Sequence, residues 1–165
     1  TSLEYKLTVT PAVLNEILKV EAEKHPEATD YDFFEVDATF KAVATDGSGK
    51  TVDVEMHANQ MRVTSLTEGS FCMKDKFYCK SSIGFIEKVV ITSDRPVTTG
   101  NWADLAVKFS KDGSAWNNLA PSAITVDGKV STVVNTDEEN TYFSIVGSSY
   151  SVLYVNSFEV TFIGE

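Results

Sequence analysis

Five residues carry side-chain types that recognise a hydroxyl-rich ring. Asp94, Arg95, Asn101 and Trp102 lie in the run TSDRPVTTGNW, and Tyr150 lies near the end of the chain. A guanidinium, a carboxylate and an amide can each make paired hydrogen bonds to vicinal hydroxyls, and an indole offers an apolar face for stacking. Thr92 to Gly100 is polar, holds Pro96 and Gly100, and joins two apolar stretches. Loops of that length and composition are often binding loops. Two arrangements are open: these residues line a ligand site, or Trp102 caps the core and Arg95 pairs with Asp94. Trp116 is open in the same way, as a stacking platform or packed across a strand.

The sequence offers little for catalysis. His25 precedes a proline and His57 sits between Met56 and Ala58. No HExxH, GxSxG or phosphate-binding loop accompanies either one. Paired carboxylates for glycoside hydrolysis depend on a separation that only the fold sets. No enzyme is expected. Asp30, Asp32, Asp137, Glu138, Glu139 and Glu159 are the oxygen ligands a structural calcium would use, but no stretch has EF-hand spacing. The run NTDEEN reads as a solvated turn, so no cofactor is expected. Arg62 can pair with Glu55 or Glu68 and is given no role. Cys72 and Cys79 bracket MKDKFY. With a turn at Asp75-Lys76 they would face each other across a hairpin, as a disulfide or as two buried thiols. A metal is disfavoured because no second Cys/His pair exists.

Composition narrows the partners. The chain has 165 residues, 24 acidic and 14 basic, for a net charge of −10. That field repels nucleic acid and anionic membranes, and no basic cluster interrupts it. No apolar run reaches the ~20 residues of a membrane helix. The chain opens at Thr1 with no signal segment in view. A single domain spanning residues 1–165 is expected.

The elements that must position these residues read as mostly β. Tyr5, Leu7 and Val9 alternate in a first strand. Thr10-Pro11 then opens a helix over Pro11–Lys24, with Leu14, Ile17 and Leu18 on one face. From Phe33 the period becomes two, with Phe34, Val36, Ala38, Phe40, Ala42 and Ala44 on one face. Asp46-Gly47-Ser48-Gly49 turns the chain into Val52, Val54, Met56 and Ala58. Met61, Val63 and Leu66 point to another short edge strand. Ile86, Val89, Val90 and Ile91 read as a central strand covered on both sides. Leu105, Val107 and Phe109 alternate up to the turn SKDGS, where Gly113 can take positive φ and Asp112 can bond its own backbone. Further strands follow at Ile124–Val126, Val130–Val134, Tyr142–Val146 and Val152–Ile163. About ten strands with close turns give an all-β, antiparallel two-sheet jelly-roll sandwich with one N-terminal helix.

The strand IGFIEKVVI, the polar loop with Trp102, the run VKFSKDGSAW, then TYFSIV and SVLYVNSFEVTF resemble the galactose-binding-like (discoidin-type) jelly-roll family. The match covers the C-terminal half and is most similar to variants in surface and secreted lipoproteins of Bacteroides-type bacteria. The helix at Pro11–Lys24 and the Phe33–Ala58 hairpin depart from the family pattern. The resemblance implies an extracellular or cell-surface, non-catalytic module, often glycan-binding. With strands alternating in direction, loops 46–49, 74–76, 92–102, 127–128 and 147–150 are expected at one end, and 111–114 and 135–140 at the other. The expected function is carbohydrate binding through Asp94, Arg95, Asn101, Trp102 and Tyr150. The alternative is a structural, assembly or adhesion module of a surface layer, fimbria or virion, without a small-molecule ligand.

Overall fold

The computed structural model describes residues 2–25, 27, 33–63, 71–73, 75–93, 105–117, 124–147 and 155–164. The elements are β1 Leu3–Val9, α1 Pro11–Glu23, β2 Phe34–Ala44, β3 Thr51–Val63, β4 Phe71–Met73, β5 Lys76–Cys79, β6 Phe85–Ser93, β7 Leu105–Ser110, β8 Trp116–Asn117, β9 Ile124–Asp127, β10 Val130–Val134, β11 Tyr142–Gly147 and β12 Val155–Gly164. Among the described residues the fold is mostly β with one short helix. All the strands belong to one antiparallel sheet, in the order β8-β7-β11-β5-β3-β2-β1-β12-β6-β10-β9.

Period-two patterning explains which side chains the sheet buries. Phe40 opposes Val54, Ala42 opposes Val52 and Ala38 opposes Met56, all facing inward. The sheet curls until its two halves meet. Phe158 on β12 packs edge-on against Phe77 on β5 at 5.7 Å and Phe143 on β11 at 6.5 Å. Phe77 also meets Phe40 on β2 at 6.2 Å. Because β12 neighbours neither β5 nor β11 in the sheet, these contacts cross the interior. The short strand β4 reinforces the curl by pairing with both β3 and β12.

Four expectations change. The cysteine hairpin does not form, since β4 and β5 both run antiparallel to β3 and lie end to end along it. Cys72 opposes Arg62 and Cys79 opposes Met56. That is about 20 Å along β3 at ~3.3 Å per residue, far beyond disulfide reach. Cys79 is a free thiol, and burial pushes it up to about 12. The separate strand expected after Asn59 is a continuation of β3. A bulge opposite Glu35 lets both Ala58 and Met61 face the core, which breaks the alternation in the sequence. Third, β6 is covered on one side only. A register shift opposite Phe162 separates Ile86 from Val89, and Val90 stays half-buried on the outer face.

The fourth change concerns the loop ends. With one strand fewer, the direction of everything before it inverts. The turn at 45–50 lies beside β1 through Thr45 N–H to Glu4 O at 2.9 Å, and Leu3 opposes Gly164. It therefore shares an end with turn 111–115 and loop 135–141, opposite to the end expected. The helix starts as read, with Thr10 at the N-cap and Pro11 at the first position. The Thr10 hydroxyl makes no capping bond, leaving proline's fixed φ to set the start. Leu14 and Leu18 are buried where α1 packs on β2 and β3. No described helix is long and apolar enough to cross a membrane.

Gly84 shows how closely the loop before β6 approaches β12. Its φ is +104°, and an added Cβ would stand 2.0 Å from the Ile163 carbonyl oxygen. Gly47 also has positive φ, at +82°, but its Cβ would meet nothing within 4 Å. Gly84→Ala is therefore expected to destabilise the fold by about 3 kcal/mol or more, and Gly47→Ala by about 1 kcal/mol. Thermal or urea melts of the two variants side by side check the difference.

Candidate functional site

Asp94, Arg95, Asn101, Trp102 and Tyr150 lie outside the described residues. The strand ends that flank their segments are described. Ser93 opposes Val155, Leu105 opposes Gly147, and Ser93 N–H donates to Lys129 O at 2.8 Å. Both pairs of ends lie at the pole opposite turn 45–50.

A second group of chemistry-bearing residues lies on the outer face of the sheet. Antiparallel register puts directly opposed residues on the same side. Asp37 opposes His57, His57 opposes Tyr78, Tyr78 opposes Ser144 and Ser144 opposes Lys108. Their neighbours in sequence, Met56, Phe77, Phe143 and Phe109, fill the core. One row thus crosses β2, β3, β5, β11 and β7 on the outside.

His57 is held on three sides. Its Nδ1 lies 2.8 Å from Asp37 Oδ1 and its Nε2 lies 2.9 Å from Glu35 Oε1. Its ring meets Tyr78 edge-on at 5.6 Å. The imidazole side chain is only 15% exposed, while both carboxylates are mostly in solvent. The His57 hydrogen bond, with Lys80 Nζ at 3.4 Å adding to it, holds the Asp37 carboxyl below the usual carboxylate range.

Farther along the row the face becomes aromatic. Trp116 on the edge strand β8 meets Tyr78 edge-on at 6.3 Å. Strands β11 and β7 lie between them, so the two rings lean toward each other across both strands. Ser144, small and outward-facing below them, is fully buried, and its hydroxyl has no hydrogen-bond partner among the described residues. The Lys76 ammonium stands 5.2 Å from the centre of the Trp116 ring and 5.8 Å from that of Tyr78. Trp116 is half-buried, neither a bare platform nor a core residue.

The turn before β8 aims this indole. Asp112 Oδ1 accepts from the Ser114 and Ala115 amides at 2.8 and 2.9 Å, and the Ser110 hydroxyl accepts from Gly113 N–H at 2.9 Å. The Ala115 and Ser114 amides, with Ser110, hold the Asp112 carboxyl down at about 2. Gly113 takes φ +79° against the Tyr142 ring, where a Cβ would stand 3.0 Å away.

The remaining candidates separate from this row. Asp137 and Glu139 are bound to Lys111, and Glu159 pairs with Lys6 at 3.2 Å. Among the described residues no three His, Cys, Asp or Glu side chains gather as metal ligands. Loop 135–140 is built around Asn135, whose amide donates to Ile86 O at 2.8 Å and Asp137 O at 3.1 Å. A cleft of about 590 Å³ between Val52, Asp53, Ser82, Gly84, Phe162 and Gly164 is ligand-sized. Its one charged side chain, Asp53, is already paired with Lys41 at 3.0 Å. In the outer row two aromatic rings, a histidine, its two carboxylates and an ammonium follow one another across the strands.

Reading the residues by type alone set His57 aside for want of a motif and passed over Tyr78. The signal was present for one of them. The turn at 45–50 sets Val43 opposite Thr51, and counting back along both strands brings Asp37 opposite His57. Tyr78 was hidden by the expected cysteine hairpin.

The Asp37–His57 contact is checked by an NMR titration. The Asp37 carboxyl carbon should titrate below its ordinary 3.8 and move back toward it in His57→Leu. The stability this carboxylate contributes is in place above that ordinary value. It is lost as acid takes the pH down through the lowered one. No family model, no curated protein and no solved structure matches this chain.

Proposed function

We propose that this chain is a non-catalytic, extracellular ligand-binding module of the discoidin-type jelly-roll kind, and that its ligand is a carbohydrate. One observation carries the reading: the outer row in which Trp116, Tyr78 and His57 follow one another at ring separations of 6.3 and 5.6 Å. Half-buried rings in series give a run of apolar faces for stacked sugar rings, and Asp37 and Glu35 beside them are exposed acceptors for hydroxyls. The two-layer arrangement is supported by Phe158 meeting Phe77 and Phe143 from strands that are not its neighbours. The extracellular placement is supported by the resemblance in Ile83–Trp116 and Thr141–Phe162.

Binding of the intact protein to an array of neutral oligosaccharides tests the reading. At least one family of glycans should bind, with Trp116→Ala and Tyr78→Ala each weakening it about tenfold or more. Trp102→Ala measures the share of the loop that holds Asp94, Arg95 and Asn101. An array with no bound glycan, or wild-type binding in all three variants, overturns it.

A second reading, an assembly module, is favoured by α1. Val13 and Val20 are seven residues apart on one helical stripe and are 42% and 54% exposed. Under this reading, light scattering at rising concentration shows association that Val20→Lys removes. A monomer at all concentrations excludes self-assembly through this stripe.

A further inference from the structure

Lys76 has an unusual set of neighbours for a lysine in this protein. The chain carries 24 acidic residues, yet no ion pair of the Lys76 ammonium is found among the described residues. The ammonium stands instead over two aromatic faces, 5.2 Å from Trp116 and 5.8 Å from Tyr78. The rings are inclined at 65°, so they form a corner that presents two π faces to one point. Both distances fall inside the ~6 Å at which a ring quadrupole attracts a cation.

The corner is held by parts that do not depend on Lys76. Tyr78 is fixed by its place in β5, opposite His57 and Ser144. Trp116 is fixed by the Asp112 turn and by the opposition of Ser110. Lys76 reaches the corner with a long, flexible side chain from two residues before Tyr78. Removing the side chain would leave the two faces in place and the point between them open to solvent. Farther along the same row lie Asp37 and Glu35, the carboxylates that hold His57, in a chain of net charge −10. Charge and geometry favour a cation there.

We propose that the Tyr78–Trp116 corner is a receptor for an ammonium group carried by an incoming ligand, and that Lys76 is the resident cation which such a ligand displaces. The recognised chemistry is a primary or quaternary ammonium on a small organic body. Two sources share it, a sugar with a free amino group and a choline-like head group. The proposal uses the same two rings as the carbohydrate reading but requires nothing of a sugar, so the two can fail separately.

The test uses the full chain. It has two tryptophans, so Trp102→Phe leaves Trp116 as the sole indole reporter. In that background Lys76→Gln is titrated with tetramethylammonium, choline and glucosamine. Neutral controls are 3,3-dimethyl-1-butanol and N-acetylglucosamine. Saturable changes in Trp116 emission are expected with the cations, about tenfold tighter than with Lys76 present, and lost in Tyr78→Leu. Choline binding without glucosamine binding identifies the quaternary head group, and the reverse identifies the amino sugar. Equal response to the neutral controls overturns the proposal, since the corner is then only an apolar patch. So does a folded Lys76→Gln that responds to no cation. Lys76→Ala is carried in parallel, and failure of both to fold makes Lys76 a structural fastener and rejects the displacement.

Discussion

The contact of Phe158 with Phe77 and Phe143 decides the shape of this molecule. A sheet of this many strands twists, and an extended one would leave its inner face in water. Here the twist brings β12 over β5 and β11, and the three rings interlock edge-on. Each buried Phe contributes about 1.5–3 kcal/mol, and each edge-on pair about 0.5–1.5 kcal/mol more. Against that, an exposed ion pair such as Lys6–Glu159, with both side chains more than a third exposed, is worth about 0–1 kcal/mol. The curl is held from within, and the charged surface decorates it.

Closing the core fixes the outer face as well. In a strand each inward residue dictates an outward neighbour. Once Met56, Phe77 and Phe143 are committed to the interior, His57, Tyr78 and Ser144 must line up outside. A slip of one residue in β5 would expose Phe77 and scatter the row. The hairpin turn does the same for Trp116. The amides gathered by Asp112 keep its carboxyl ionised down to about pH 2, so the loop that aims the indole holds through the range in which other carboxylates protonate.

What the sequence disclosed, and what it hid, follows from where alternation is clean. Phe34 to Ala44 and Val52 to Ala58 alternate without interruption, so the β2–β3 hairpin and its inward face were legible, and so was the Asp112-Gly113 turn of β7–β8. Legibility failed at the bulges. One extra residue, with Asn59 and Gln60 together opposing Glu35, made one long strand look like two. An extra residue near Glu87 made the one-sided β6 look two-sided. The break between β4 and β5 looked like a turn because Asp75-Lys76 is turn-like in type, whereas both strands pair to β3 in the same direction. Period-two reasoning has no means of seeing an inserted residue, and every strand counted wrongly inverts the loops before it. The candidate row was half-visible for the same reason: Trp116 and Asp37 could be placed, and their relation to Tyr78 could not.

The row also bears on chemistry. Read across the strands it runs Asp37, His57, Tyr78, Ser144, which contains the three residue types of a hydrolytic triad in order. The spacing is wrong. His57 and Ser144 are separated by β5, and two steps of ~4.8 Å put their strands about 10 Å apart, where proton transfer needs about 3 Å. Tyr78 fills the gap with its ring against the imidazole. Both nitrogens of His57 already face carboxylates, leaving neither free to accept a hydroxyl proton. The Ser144 hydroxyl is buried, out of reach of any substrate on the open face. The interposed tyrosine rules out this one triad and supplies surface in its place: by separating the histidine from the serine and leaning toward Trp116, it turns the same register into a run of ring faces.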